Sequence, residues 1–181
     1  QGMLMAKGIS ILADLPIESA AKIVNRFCGS SMDAAHQVSQ AVQAGDYECG
    51  IAAGVEDMFS VPMGGFNPSF NPTLYENEYY IGMGETAENL AQELDISRDD
   101  QEAFAIYSHE KALVAISAGR FENEIVPIDF NGATVSTDEG PREPNVEKIK
   151  SLTPAFDADG TITAATSSPV SLGAAALLIT S

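Results

Sequence analysis

A cysteine at the junction of a predicted strand and a predicted helix is the residue best placed for chemistry. Cys28 follows a short strand predicted at 21–25 and precedes a helix predicted at 32–44. A thiol there would face the unpaired N–H groups and the positive end of the helix, which stabilise a thiolate. The small residues at 29–31 would let a carbonyl approach, and backbone N–H groups of the turn could form an oxyanion hole. The pattern predicts an activated nucleophile, with a buried, inert cysteine as the alternative.

The other thiol and imidazole groups give weaker signals. Cys49 lies inside an apolar run of strand length, which predicts core packing. His36 is expected in a surface or structural role on the first predicted helix after Cys28, and His109 on the solvated face of a later helix. No His or Cys cluster has metal-ligand spacing, and no glycine-rich phosphate loop occurs, so the sequence predicts neither a metal site nor a nucleotide site.

The charge balance excludes two classes of partner. The 181 residues include 9 Lys and Arg against 26 Asp and Glu, for a formal net charge of −17. Nucleic acids and anionic membranes attract basic surfaces, so we expect neither as a partner. A hydrophobic fraction of 45% still allows a core, and two cysteines are too few for a disulfide scaffold.

The sequence shows neither a membrane anchor nor a targeting segment. No apolar run approaches the roughly 18 residues of a membrane-spanning helix, so no membrane span is expected. No basic-then-apolar leader is seen either, and the predicted location is cytoplasmic. The sequence starts at Gln1 in helix-like residues, which favours its interpretation as a fragment.

The order of the predicted elements is that of an α/β protein. An amphipathic helix over 4–12 is followed by the strand at 21–25, the helix at 32–44, ended by Gly45, and an apolar strand at 49–55. Strand, helix and strand within about 35 residues indicate a βαβ unit with a buried parallel sheet.

The rest of the sequence indicates an insertion and a return to the sheet. Many Pro and Gly residues forbid regular structure at 58–82, and most of 131–160 is expected to be loop. Between these segments we expect the following elements: a helix capped by Thr86 and ending near 95, a longer helix capped by Ser97 with Asp100 and ending near 119, and a strand at 124–130. A second buried-type strand follows at 170–180. The predicted organisation is an α/β layer (1–57), a loop-rich insertion (58–169) and a strand that rejoins the layer (170–181).

The insertion is unusually apolar for a loop. Its Met and Phe side chains could form a small satellite core, or they could line a pocket for an acyl or pantetheine chain. The residues concerned are Met58, Phe59, Met63, Phe66, Phe70 and Met83.

A family resemblance follows from motifs along the whole chain. The segment Asn25-Arg26-Phe27-Cys28-Gly29-Ser30-Ser31-Met32 resembles the nucleophile segment of the thiolases. Further segments resemble thiolase motifs in the same order: Gly54-Val55-Glu56-Asp57-Met58, Met83-Gly84-Glu85-Thr86-Ala87-Glu88-Asn89, the helix start at 96–105, Gly119-Arg120-Phe121 with 124–127, Leu152-Thr153-Pro154-Ala155-Phe156, Gly160-Thr161-Ile162-Thr163-Ala164, and Gly173-Ala174-Ala175-Ala176. Each motif alone is weak, but their number and order make the resemblance specific.

The resemblance implies a fold and an assembly. Thiolases contain two similar βαβαβ halves, with a loop domain inserted in the first half. This chain resembles part of the first βαβαβ layer with its large inserted α+β loop domain, which would bind coenzyme A and support oligomerisation. A homodimer or homotetramer is therefore expected for the complete protein.

The resemblance also implies an activity and a binding site. Cys28 matches the nucleophile that carries the acyl group as a thioester, in thiolytic cleavage of a 3-ketoacyl-CoA or in condensation of two acetyl-CoA. CoA and acyl-CoA would be substrates, with no permanently bound cofactor. By motif position, the family's CoA contacts correspond to Leu74, Met83, Arg142, Phe156, Ala164 and Ser168.

Several family motifs have no counterpart in this sequence. Neither His36 nor His109 lies in the family's G-H-P motif, and neither cysteine lies in its C-x-G motif. Its N-E-A-F motif is absent too. Because general acid–base assistance is typically worth ~10²–10⁴-fold, the chain alone is expected to be inactive or nearly so. Two alternatives stay open: a non-catalytic CoA-binding or assembly module, and another condensing enzyme with a cysteine nucleophile.

Overall fold

The computed structural model describes residues 2–181, which form two compact units. The first unit runs to Ser69 and resumes at Val170–Ser181, and the second unit is Phe70–Pro169. In chain order the elements are α1 (Met5–Leu12), α2 (Ser30–Ala44), β1 (Cys49–Asp57), α3 (Pro72–Glu76), α4 (Met83–Glu93), α5 (Arg98–Ser117), β2 (Ile128–Phe130), β3 (Ala133–Val135), α6 (Val146–Lys150) and β4 (Leu172–Thr180).

The sheet of the first unit is an antiparallel pair of strands. β1 and β4 pair over their full lengths, from Cys49 opposite Thr180 to Asp57 opposite Leu172. The strand predicted at 21–25 is wrong, because these residues adopt no regular secondary structure. The predicted βαβ unit is therefore not closed within the described part of the chain. A strand is stable only beside a hydrogen-bonded neighbour. Residues of high strand propensity therefore do not form a strand when no neighbouring strand is present.

Both strands are more exposed than their apolar sequences predict. Helix α2 packs against β1 and β4, and Ala52 is buried on β1. On β4, however, Leu177 and Leu178 keep 61% and 69% of their surface exposed. A strand that is apolar on both faces needs a covering layer on each, and one helix supplies only one. The described residues of this chain therefore cover only one face of these strands.

Two predictions of helix ends are confirmed by the structure. The Ser97 side chain accepts a hydrogen bond from the N–H of Asp100 at the start of α5. Gly45 ends α2 in the left-handed conformation, with φ 78°. A short hydroxyl side chain suits the start of a helix because it accepts a hydrogen bond from an unpaired backbone N–H. Glycine suits the end because it adopts the left-handed conformation without strain.

The predicted cap of α4 is wrong. The helix begins at Met83, and Gly82 is its N-cap residue. The Glu85 carboxylate accepts a hydrogen bond from the Gly82 N–H at 2.7 Å. Thr86 instead lies inside the first turn and donates from Oγ1 to the Gly82 carbonyl at 2.9 Å.

The loop-rich region contains a helix that was not expected, α3, and a shorter strand than expected, β2. Pro72 is a first-turn residue of α3, and the Asn71 side chain caps that helix by accepting from the N–H groups of residues 73 and 74. The strand predicted at 124–130 shortens to β2, which pairs antiparallel with β3. None of the helices described over residues 2–181 is both long and apolar enough to cross a membrane.

Asp57 organises the turn that follows β1. Its Oδ1 accepts hydrogen bonds from the N–H groups of Ser60 (2.9 Å) and Phe59 (3.0 Å). These bonds favour the ionised form. The pKa of Asp57 is therefore lowered, chiefly by the Ser60 N–H and then by the Ser60 hydroxyl. Desolvation opposes them, and the Phe59 N–H adds a smaller lowering.

The close approach of α2 to β1 predicts a selective effect of an added methyl group. A Cβ at Gly54 would overlap the Ser31 Oγ of α2, whereas a Cβ at Gly173 on β4 would meet open space. We expect Gly54→Ala to lower the free energy of unfolding by about 1 kcal/mol or more. Gly173→Ala should stay within ~0.5 kcal/mol of the original chain. Urea unfolding of both variants measures the difference, and equal midpoints would contradict this packing.

Candidate active site

Cys28 lies in a tight turn directly before α2. The helix begins at Ser30 with Gly29 as its N-cap residue, and the Cys28 thiol is unpaired and exposed. The first turn also carries Asp33, an acidic residue suited to the positive end of the helix. The structure therefore places the thiol at the helix start as predicted, although the predicted strand before it is missing.

Two backbone N–H groups of this turn, which were candidates for an oxyanion hole, are hydrogen-bonded to carbonyl groups within the turn. The Gly29 N–H donates to the Arg26 carbonyl at 3.0 Å, and the Ser30 N–H donates to the Phe27 carbonyl at 2.9 Å. Neither N–H is available to a substrate oxygen in this conformation. The predicted oxyanion hole is therefore wrong for these two groups.

Two polar side chains that the sequence reasoning did not single out hold the same turn. The Ser30 Oγ accepts from the Arg26 N–H at 2.8 Å and donates to the Phe27 carbonyl at 2.7 Å. The Asn25 Oδ1 accepts from the Phe27 N–H at 3.1 Å. The signal was present in the sequence, because Asn and Ser beside a helix start are the residues that bond to nearby backbone groups.

The other thiol and the first imidazole lie apart from this chemistry. Cys49 is the first residue of β1 and is exposed, so its predicted core packing is wrong. It lies at the end of β1, opposite Thr180. His36 is exposed on α2, as expected for a surface role. Within residues 2–181, no group of His, Cys, Asp and Glu side chains could hold a metal ion.

In the second unit, one carboxylate shapes the loop at 160–168. Glu88, on α4, accepts hydrogen bonds from the backbone N–H groups of Thr161 (2.9 Å) and Ile162 (2.7 Å). The Thr161 hydroxyl donates to the same carboxylate at 3.1 Å. The Gly160 Cα packs so closely on this carboxylate that a side chain there would collide with it. Three donors on one ionised acceptor hold the loop firmly to the helix.

A buried threonine continues this loop towards two of the predicted CoA residues. Thr163 is fully buried; its Oγ1 accepts from the Ala165 N–H at 3.2 Å and its carbonyl accepts from the Ser167 hydroxyl at 2.7 Å. Ala164 and Ser168 are both exposed on the outside of this arrangement. The loop is thus fixed from within and leaves these two residues open to a ligand.

Helix α5 supports the same unit through an ion pair. Arg98 Nε donates to Glu102 Oε1 at 2.7 Å, and only 3% of the Glu102 surface is exposed. The other end of the Arg98 guanidinium donates to the Leu152 carbonyl at 2.7 Å, so the pair holds the segment that leads to Phe156. The i,i+4 spacing of Arg98 and Glu102 was a readable signal for this pair.

Phe156 packs on the backbone of the residue that follows Met83, at the start of α4. The Phe156 ring lies directly against the Gly84 backbone, in the space that a side chain at residue 84 would need. The ring stays half exposed, and the neighbouring Met83 side chain is exposed too. Both of these predicted CoA residues are therefore exposed near the start of α4.

Arg142 and Leu74, the remaining predicted CoA residues, lie elsewhere in the second unit. The Arg142 backbone N–H donates to His109 Nδ1 at 3.3 Å, which anchors the loop of Arg142 on α5. His109 keeps an intermediate exposure, and its ring contacts the loop of Arg142 in addition to solvent. Leu74 lies on the short helix α3 and is partly exposed.

The apolar side chains of the insertion do not form the satellite core that was one reading of the sequence. In the first unit, Met58, Phe59, Met63 and Phe66 are exposed. In the second unit, the exposed Phe70 ring stacks edge-on against Tyr80, with 4.8 Å between the ring centroids.

Comparison with known proteins gives the family. Residues 1–181 match the family described as the thiolase N-terminal domain. The 3-ketoacyl-CoA thiolase of Bacillus subtilis is 38% identical over 195 residues, which cover 99% of this chain and 50% of the relative. The 3-ketoacyl-CoA thiolase of Vibrio vulnificus (strain CMCP6) is 44% identical over 190 residues, which cover 100% of this chain and 49% of the relative.

Solved structures agree with these sequence matches. The dimeric peroxisomal thiolase of Saccharomyces cerevisiae superposes with a TM-score of 0.86 at 35% identity, over 96% of this chain and 47% of the yeast chain. The Acat5 thiolase from Ascaris suum, solved in complex with coenzyme A, gives a TM-score of 0.84 at 32% identity, over 99% of this chain and 50% of that chain. The chain therefore belongs to the thiolase family and has its α/β fold. It spans about half the length of the curated relatives it matches.

Removing the Glu88 carboxylate should release the loop at 160–168. Glu88→Ala leaves the N–H groups of Thr161 and Ile162 without an acceptor, and we expect it to lower the free energy of unfolding by roughly 2 kcal/mol. The same change at the exposed Glu93, on the same helix, should cost less than ~0.5 kcal/mol. Denaturant unfolding measures both, and hydrogen exchange should speed up at the amides of residues 161 and 162. Unchanged exchange at these amides would contradict the assigned role.

The packing of Phe156 predicts a second pair of variants. Gly84→Ala places a methyl group where the Phe156 ring lies, so the ring must move, at an expected cost of about 1–3 kcal/mol. Gly140→Ala meets open space in the same unit and serves as the control. Thermal unfolding compares the two, and coenzyme A affinity should fall for Gly84→Ala alone if Phe156 contacts the ligand.

Proposed function

We propose that the protein containing this chain transfers acyl groups between CoA thioesters and that Cys28 is its nucleophile. The observation that carries this proposal is the exposed Cys28 thiol, held in a tight turn at the start of α2 in a chain of the thiolase family. The named relatives of the chain are 3-ketoacyl-CoA thiolases, which supports the same chemistry here.

In the degradative direction, the Cys28 thiolate attacks the keto carbonyl carbon of a 3-ketoacyl-CoA. The bond between that carbon and the neighbouring methylene carbon breaks, and the methylene carbon takes a proton as acetyl-CoA leaves. The thiolate of a second CoA then attacks the Cys28 thioester and releases the shortened acyl-CoA and the Cys28 thiolate. The thioester intermediate divides one difficult step into two easier ones, and the reverse sequence joins two acetyl-CoA.

The proton transfers of this cycle need groups that the sequence of this chain does not supply. The family's G-H-P histidine and C-x-G cysteine have no match among its residues. The 181-residue chain is therefore proposed to hold the nucleophile without its base, and to turn over little substrate alone.

We propose that the second unit binds CoA, with contacts from exposed residues of the loop at 160–168 and from exposed apolar side chains. Its fixed loop presents Ala164 and Ser168, and Phe156 and Met83 offer apolar surface for a pantetheine chain. Arg142 would pair with an anionic group of the ligand, and Leu74 would add apolar contact. The complex of the Ascaris thiolase with coenzyme A supports this choice of ligand.

Two further properties are proposed for the complete protein. A homodimer or homotetramer is supported by the dimeric yeast thiolase, whose chain superposes on this one. The assignment of 58–169 as the CoA-binding and oligomerisation domain is also a proposal, as is a cytoplasmic location.

The test of this function uses the full-length gene product that contains this chain. Cys28→Ala should reduce CoA-dependent cleavage of acetoacetyl-CoA by on the order of 10³-fold or more, because it removes the group that forms the covalent bond. Cys49→Ala, a matched change at an exposed thiol, should leave the rate within about twofold. Mass spectrometry after rapid quenching should find an acyl group on Cys28.

The same experiment separates the alternatives. A protein that binds CoA but forms no acyl-Cys28 and cleaves no substrate is a binding or assembly module. A protein that condenses acyl groups but has no thiolytic activity belongs with the other cysteine condensing enzymes. Either result overturns the thiolase assignment of the activity.

A further inference from the structure

The residue before the proposed nucleophile has a backbone conformation that its side chain disfavours. Phe27 has φ 47°, in the left-handed region. Bulky residues rarely adopt this region, because Cβ approaches the following carbonyl oxygen too closely. The Phe27 side chain is 68% exposed, so packing of its ring does not explain the conformation. Other contacts must hold the backbone here.

Hydrogen bonds to both sides of Phe27 supply those contacts. The Ser30 hydroxyl accepts from the Arg26 N–H and donates to the Phe27 carbonyl, so one oxygen links the peptide group before Arg26 to the peptide group after Phe27. Asn25 Oδ1 accepts from the Phe27 N–H. The Phe27 carbonyl also accepts from the Ser30 N–H. The Ser30 hydroxyl therefore uses its donor and one acceptor position within the turn.

This turn fixes where Cys28 lies relative to the helix. Residue 28 follows the strained residue directly and precedes the N-cap residue Gly29. If φ of residue 27 returned to a negative value, the Cys28 Cα and thiol would swing away from the first turn of α2. The thiol would then no longer be held at the positive end of the helix.

We propose that Ser30, assisted by Asn25, is a positioning residue that holds Phe27 in its left-handed conformation and so sets the reactivity of Cys28. The inference rests on the proposed role of Cys28 as nucleophile. Ser30 touches no substrate in this scheme; it acts through the backbone of Phe27. The hydrogen bonds of the Ser30 hydroxyl offset the strain of the left-handed conformation of Phe27.

Alkylation of the 181-residue chain by iodoacetamide tests this directly, with Cys49 as the internal reference. Ser30→Ala should slow labelling of Cys28 relative to Cys49 by about fivefold, the population change that one net hydrogen bond is worth. Ser30→Thr keeps the hydroxyl and should restore the original ratio. Ser39→Ala makes the same substitution on α2 at a hydroxyl with no hydrogen bond among those described, and should leave the ratio unchanged.

A double-mutant cycle separates positioning from ordinary stabilisation of the helix. Phe27→Gly removes the strain, because glycine adopts a positive φ freely. In the Phe27→Gly background, Ser30→Ala should slow the labelling of Cys28 by less than about twofold. A cap that merely stabilised α2 would give the same fivefold effect in both backgrounds. The Phe27→Gly background also keeps the test usable if Ser30→Ala alone folds poorly.

In the full-length protein, Ser30→Ala should lower kcat by about fivefold and leave KM for CoA unchanged. Unchanged or faster labelling of Cys28 in Ser30→Ala, or an equal effect in both backgrounds, overturns the inference. If Ser30→Ala slows labelling as expected but the full-length protein shows no acyl transfer, the positioning role stands and the proposed function fails.

Discussion

The carboxylate of Glu88 is the contact on which the geometry of the second unit depends most. The loop after Gly160 has no sheet to satisfy its backbone, so its N–H groups need another acceptor. Glu88 supplies that acceptor from α4, and Thr163 continues the same arrangement inside the loop. A loop anchored in this way keeps its outer residues fixed. Ala164 and Ser168 can therefore face a ligand without the entropy loss of ordering a mobile segment.

The turn before α2 follows the same principle on a smaller scale. There the unsatisfied backbone groups flank Phe27, and the Ser30 hydroxyl and the Asn25 amide oxygen satisfy them. In each unit, a polar side chain of a helix fixes a neighbouring loop by hydrogen bonds. The loop of the first unit carries the proposed nucleophile, and the loop of the second unit carries proposed CoA-binding residues. Regular elements provide the anchor points, and local hydrogen bonds determine the positions of the reactive groups.

Predictions from the sequence were correct for features that depend on neighbouring residues. They were wrong for features that depend on contacts with residues far along the chain or with covering layers. The cap at Ser97 and the left-handed Gly45 depend on a few neighbouring residues, and both were predicted correctly. The burial of Cys49 and the strand at 21–25 depend on layers that packing must supply, and both predictions were wrong. The roles of Glu88 and His109 depend on contacts more than 30 residues away, which no local pattern reveals. The thiolase motifs predicted the family because they span the whole chain.

Arg142 is one of several basic residues whose side chains make no described hydrogen bond or ion pair. Arg98 is used inside the second unit, on Glu102 and on backbone carbonyls, and Lys111 lies over the Tyr107 ring. In the first unit, Lys7 donates to two backbone carbonyls. The Arg142 backbone is anchored by His109, while its guanidinium makes none of the hydrogen bonds described for residues 2–181. In a chain with a net charge of −17, an anionic ligand needs local positive charge, and a held backbone with an available guanidinium can provide it.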